Sequence, residues 1–397
     1  MRACARPTSR RVNAVRRCCS ASCLIGVAGL LSGGLAGAAD WGVDADINGQ
    51  FEHHGNPLLL DGNRDTISGV GAAIAAVISR QTEISSLQLT PRVYSVRYDG
   101  APDFDRDEQY LDASYKVTSE RHSWLAGAGI ARDTTLTSEL EGTGLIASRK
   151  RHELDTLSVA FTTDPTRRDE LQMQASYQHN RYLDAQFTGL VDYDYATALC
   201  SYVRSVSERQ TFGAELTAGQ LTPAQSGGVS RDYSARLTFS SRPSSQWLLN
   251  LAAGVDRTLA ADRNDTGTVF DGGLVYSGEL TDLHLTAEGG VAPSGSGALI
   301  HRAEYAISMN RRLSSSVDST FSVRHVVADD LRFGSTREHR SYQRAAATID
   351  WHAAEHWRLS AMLAYSRQAF GGQPYDAHGI EGSLGVAWSM PRWSVAH

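Results

Sequence analysis

Short runs in which apolar and polar residues alternate strictly recur along almost the whole chain, separated by polar turn residues. Tyr233, Ala235, Leu237 and Phe239 interleave with Ser234, Arg236, Thr238 and Ser240. Trp247, Leu249, Leu251, Ala253 and Val255 do the same directly afterwards. Val191, Tyr193, Tyr195, Thr197, Leu199 and Val203 read as an apolar face against Asp192, Asp194, Ala196, Ala198, Cys200 and Arg204. A period of two is that of β-strands with one apolar and one wet face. It excludes helical bundles and the long apolar helices that cross membranes.

Soluble sandwiches also alternate, so the solvent on the apolar face has to be read from the connections. Tight polar turns such as Ser119-Glu120-Arg121, Ser207-Glu208-Arg209 and Ala354-Glu355-His356 take turns with longer loops such as Gly55 to Arg64, Thr135 to Arg149 and Val326 to His339. Short turns at one end and long loops at the other characterise outer-membrane barrels. The aromatic residues agree. Trp124, Trp247, Trp351, Trp357 and Trp388 fall beside the short turns, while Tyr98, Tyr110, Tyr182, Tyr193, Tyr233, Tyr342 and Tyr365 flank the long loops. Two girdles one strand length apart imply a bilayer between them.

Eighteen candidate strands follow, the first near Ala45–His53 and the last near Gly379–Ser389, with fourteen or sixteen if the weakest are wrong. Thr66–Ser79, apolar on both faces, reads as a strand or as a short helix in the lumen. The expected fold is all-β, a transmembrane antiparallel up-and-down barrel with both termini periplasmic. Residues 1–38 read as a signal peptide: Arg2 to Arg17 are basic, Cys23 to Leu35 apolar, and Ala36-Gly37-Ala38 a cleavage site. Residues 39–397 then form one barrel domain. Only Cys200 of five cysteines remains in it, so no intrachain disulfide is expected. Without the six leader arginines, 32 bases face 44 acids, a net charge of −12 that argues against a nucleic-acid partner.

A barrel of this size leaves a wet lumen. The expected lining is Arg92, Asp112, Lys116, Asp192, Asp194, Arg204, Glu215, Arg236, Asp256, Glu288, Arg302, Glu304, Asp318, Arg324, Arg358 and Glu381. Both signs are mixed, and cross-strand pairing that stiffens the wall is the simpler role for each. The Thr135–Arg149 loop either narrows the pore from inside or lies outside as a solvated loop. The histidine clusters, His53-His54 and His352/His356, sit beside no nucleophile elbow or metalloprotease helix. No catalytic residue, metal or cofactor is expected.

The N-terminal third resembles a loosely defined group of Gram-negative β-barrel porins, including barrels found with exopolysaccharide or exosortase systems. The resembling residues are Asn56-Pro57-Leu58, Arg97-Tyr98-Asp99, Asp103-Phe104-Asp105-Arg106 and Arg132-Asp133-Thr134-Thr135 leading to Thr143-Gly144, roughly a quarter of the chain. The resemblance implies a wide barrel acting as an outer-membrane exit for a surface polysaccharide, with no catalytic residues. The chain departs from it at its end, where Pro391 interrupts the ladder and Ser394-Val395-Ala396-His397 replaces a terminal aromatic.

Three classes stay open: a conduit for hydrophilic solutes or a polysaccharide, a plugged receptor or adhesion barrel, and a barrel hydrolase. Tyr94, Gln172, Gln174, Gln178 and Tyr202 favour a sugar-lined conduit. Expected partners are outer-membrane lipid, the barrel-assembly machinery and a periplasmic polysaccharide-export protein.

Overall fold

The computed structural model describes residues 39–62, 65–138, 149–184, 188–224, 228–260, 264–330, 339–370 and 376–396. The expected leader lies outside them. The strands are β1 (Asp40–Gly55), β2 (Thr66–Gln81), β3 (Ser85–Tyr98), β4 (Arg106–Thr118), β5 (His122–Thr134) and β6 (Arg151–Thr163). They continue with β7 (Asp169–Leu183), β8 (Tyr193–Ser207), β9 (Gln210–Pro223), β10 (Ser230–Ser241), β11 (Trp247–Leu259) and β12 (Asn264–Ser277). The last are β13 (Thr281–Ser294), β14 (Ala298–Arg312), β15 (Val317–Asp330), β16 (His339–Ala354), β17 (Trp357–Phe370), β18 (Asp376–Ser389) and the short β19 (Trp393–Ala396). Each pairs antiparallel with its neighbours in sequence, and β18 pairs with β1, closing an eighteen-stranded barrel. Thr66–Gln81 is a strand paired along its whole length with β1, so the luminal-helix alternative falls away.

Register decides which side chains share a face, because residues directly opposite across an antiparallel ladder point the same way. One face carries Leu237 (72% exposed), Leu363, Leu384, Leu216 and Val255, together with Trp124, Trp247, Trp351, Trp357 and Trp388. This is the outer face. Strands of 12–16 residues at about 3.3 Å per residue, tilted by about 40°, are tall enough for an apolar band of about 25 Å. Among the described residues, the start of β1 and the end of β19 lie at the short-turn end, as an even strand number requires.

Pro391 breaks the ladder after Ser389, but pairing resumes rather than ending. Met390 N donates to Ala45 O (2.8 Å), and β19 pairs with Asp40–Val43 one residue out of step with β18. That offset puts Trp393 on the same outer face as Trp388, although the two are an odd number of residues apart in the chain.

Gly254 faces inward where β10 and β11 cross closely. A Cβ there would overlap the backbone oxygen of Ala235 and lie 2.6 Å from Arg236 Cα. Gly254→Val should therefore destabilise the barrel by about 2 kcal/mol or more, since backbone must move. Gly272→Ala, with its nearest neighbour at 3.7 Å, should be tolerated. Denaturant titration of refolded protein, read by gel mobility before and after boiling, distinguishes the two.

Candidate functional site: a narrowed mouth and a paired inner wall

The expected lining residues mostly fall on the inner face, and most of these meet an opposite charge. Arg92 on β3 reaches Asp112 on β4 at 3.2 Å and lies 5.0 Å from the Tyr110 ring; Lys116 points the same way. Arg236 meets Glu215 at 2.5 Å, and Arg358 approaches Asp350 at 3.8 Å. Arg302 bridges Glu288 (2.9 Å) and Glu304, which also holds Arg324 (2.8 Å). Asp318 meets His352 (3.1 Å) near the short-turn end, and Glu381 holds Arg344 at 2.7 Å.

Three expected positions differ. Asp194 and Arg204 lie on the outer face. Asp194 takes bonds from Tyr177 and His179 (both 2.6 Å), and Arg204 sits 3.5 Å from Asp169. Asp192 precedes β8 and accepts the Tyr182 backbone N–H (2.8 Å). The cause is β8 itself. Tyr193 and Tyr195 face the lumen and Tyr202 faces out, so tyrosine does not mark the lipid side. The same correction applies to the tyrosine girdle: Tyr98, Tyr110, Tyr182, Tyr193 and Tyr342 point inward, and only Tyr233 and Tyr365 of the seven point outward. A phenol satisfies its ring and its hydroxyl equally well in a polar lumen with acceptors. Tyr94, Gln172, Gln174 and Gln178 are inward, and Tyr202 is not.

At the long-loop end four connections fold into the lumen. In the first, Asn56 clamps the β1–β2 loop by accepting from Leu60 N (2.9 Å) and donating to Leu60 O (2.9 Å) and His378 O (3.1 Å). Leu59 adopts a left-handed backbone (φ 47°) that a branched residue rarely tolerates. It is held there by burial against Val326, Tyr342 and Ala377. In the second, Phe104, in the 3-10 turn Pro102–Phe104, packs on Ile67, Val96 and Tyr98. In the third, residues 135–138 form one helical turn, and Thr137 donates to inward Glu108 (2.8 Å). The start of the Thr135–Arg149 loop therefore lies inside; Glu139, Glu141 and the rest to residue 148 lie outside the described residues.

The fourth is the largest. β12 and β13 stay paired only as far as Phe270 and Gly289, although both strands continue. Beyond Gly289-Gly290 the β13–β14 hairpin parts from β12 and reaches across the lumen, while β14 stays paired with β15 as far as Ile300 and Asp330. Leu299, 3% exposed, packs among Tyr182, Tyr193, Tyr195 and Leu221 on β7–β9, and Val191 N donates to Gly295 O (2.8 Å). His301 approaches Asp256 at 3.9 Å; Asp256 is almost fully buried, and neither of its carboxylate oxygens has a hydrogen-bond partner among the described residues.

Between these inserts lies a cavity of about 180 Å³ bordered by His54, Tyr98, Arg106, Tyr342, Arg344 and Glu381. Beside it Glu52 is the hub of a buried network absent from the sequence expectations. It accepts from Tyr98 (2.7 Å), Tyr94 and Gln50 and pairs with Arg106 (2.9 Å), whose guanidinium lies 5.1 Å from the Tyr94 ring. Arg106 and Tyr98 belong to the motifs that carried the porin resemblance, which was the available signal. Carboxylate, guanidinium and phenol groups in one pocket suit hydroxyl-rich ligands. The buried Asp133–His152 pair (2.8 Å) has its far nitrogen on the Asn180 amide (3.1 Å), not on a serine or cysteine.

No protein-family model matches the chain, and no curated protein matches it. Similar solved structures are outer-membrane proteins. OccK2 (OpdF) of Pseudomonas aeruginosa, solved in complex with glucuronate, is 11% identical over 88% of this chain and 98% of its own, with a TM-score of 0.48. OccK5 (OpdH) of the same organism is 12% identical over 88% and 98%, with a TM-score of 0.49. The FrpB iron transporter of Neisseria meningitidis is 8% identical over 88% and 81%, with a TM-score of 0.45. At identities of this order no cargo is carried from them to this chain.

Removing Glu52 as Glu52→Ala should cost about 3 kcal/mol or more, because Arg106, still bonded to the neutral Tyr94 and Tyr98 hydroxyls, would be left buried with Glu108 at 3.9 Å as its nearest counter-charge among the described residues. Arg92→Ala breaks a pair with both partners more than half exposed and should cost under about 1 kcal/mol. Denaturant unfolding of both variants measures the difference.

Proposed function

We propose that the protein is an outer-membrane conduit for hydrophilic solutes whose outer mouth is restricted by its own hairpin. The observation that carries this reading is the union of a closed apolar-out, polar-in wall with a hairpin that narrows rather than completes that wall. Paired charges of both signs around the lumen fit neutral or mixed-charge solutes better than a single-sign ion filter. The finer reading is an exit for a surface polysaccharide, supported by inward Tyr94, Gln50, Gln172, Gln174 and Gln178. It requires Leu299 to leave its seat, since an extended sugar chain and the hairpin compete for one space. Assembly by the barrel-insertion machinery and docking to a periplasmic polysaccharide-export protein belong to the same proposal. A plugged receptor barrel is the second reading, and the crossing hairpin is the observation that favours it.

Single-channel recording in a planar bilayer tests the proposal. A steady conductance supports a conduit, reversible block by a polysaccharide supports the finer reading, and silence from folded protein supports the receptor. Leu299→Ser, which unseats the hairpin, should raise conductance at least twofold if the hairpin is the restriction. The lipid assignment has its own test. Leu237→Arg on the outer face should cost about 2–4 kcal/mol in vesicles, and Thr238→Arg on the inner face far less.

A further inference from the structure

Arginines stand on the outer face at the long-loop end of many strands, and most are neutralised there. Arg97 meets Asp107 (2.9 Å), Arg132 meets Asp155 (2.9 Å), Arg181 meets Glu153 (3.1 Å) and Arg367 meets Asp376 (2.6 Å). Arg151 approaches Asp184 at 3.8 Å. Two are different. Arg231 on β10 touches only the neutral amide of Gln220 (3.2 Å), and Arg257 on β11 has no polar partner among the described residues. Both are exposed. Arg257 lies directly opposite Tyr233, so Arg231 is its diagonal neighbour on one face, at a spacing of about 7–8 Å. The nearest outward carboxylate on β8, Asp194, is already engaged by Tyr177 and His179.

Directly below this pair the outer wall is hollow. A groove of about 1030 Å³ climbs obliquely along one register row from Trp124 to Val255 and reaches Tyr233 and Arg257 at its top. Its floor is made of small outward side chains, Ala175, Ala198, Cys200 and Ala218, between ridges of larger ones. Two guanidiniums with no carboxylate partner among the described residues, over an apolar trough, match one ligand chemistry: phosphate above hydrocarbon.

We propose that this groove is a binding site for a phosphorylated, multiply acylated lipid of the outer leaflet, with its phosphate on Arg231 and Arg257 and an acyl chain along the alanine floor. The inference rests on the reading of the barrel as an outer-membrane protein with its long loops outside. Charge complementarity selects the occupant, because a second copy of this chain would bring the same two arginines against the groove rather than an anion. The paired arginines elsewhere on the rim supply the internal control.

The test is native mass spectrometry of the full barrel in detergent, titrated separately with diphosphoryl lipid A and with phosphatidylcholine. Wild type should retain diphosphoryl lipid A at least tenfold better than phosphatidylcholine. Arg231→Gln/Arg257→Gln should lose at least fivefold of that preference, and Arg367→Gln should keep it. Ala218→Trp fills the trough while leaving both arginines and should also lose retention, which covers a double variant that fails to fold. Equal binding of the two lipids, an unchanged double variant, an equal loss in Arg367→Gln, or a stable dimer that excludes lipid would each overturn the proposal. Failure of the membrane reading would show separately, as a chain that inserts into no vesicle of any composition.

Discussion

The pairing of β18 with β1 is the contact on which everything else depends. Until it forms, the sheet has two open edges whose N–H and C=O groups have no partners in hydrocarbon. Once it forms, every strand has two neighbours and side chains divide into those that see lipid and those that see the lumen. Closure also explains why the ladder resumes after Pro391. A strand ending at Ser389 would leave the first residues of β1 with only β2 as a partner, and β19 covers them at the expense of a one-residue offset.

Closure at eighteen strands creates a lumen larger than side chains can fill, and the chain fills its long-loop end with backbone instead. Four connections turn inward, each held by a different device: the Asn56 side-chain clamp, the Phe104 contact, the Thr137–Glu108 bond and the Leu299 seat. The short-turn end carries no comparable inserts among the described residues. The lumen is thus asymmetric along its axis, wide at one end and structured at the other.

Strand number, strand order and the tryptophan rim were legible in the sequence because period two and tight-turn spacing are local properties. Face assignment was legible wherever one face was plainly aliphatic, as in β10 and β11. It failed in β8, where tyrosine stands on both faces and Asp194 and Arg204 are stabilised outside by Tyr177, His179 and Asp169. The Glu52 network was not legible because its members come from three strands and none stands out alone. The hairpin was illegible for a different reason. Its residues alternate like any wall strand up to the turn at Ser294–Gly297, and only the loss of pairing with β12 reveals where it goes.

That loss of pairing gives the restriction an unusual mechanical character. A separate plug domain can be expelled whole, and a mobile loop can drift in any direction. This hairpin is tied to the wall along one side only: β13 has parted from β12 beyond Phe270 and Gly289, while β14 stays paired with β15 as far as Ile300 and Asp330. It is held like a flap, along one long edge. A solute pressing from within meets a flap anchored along the β14–β15 ladder, whose loose edge faces the length of β12 that β13 has left.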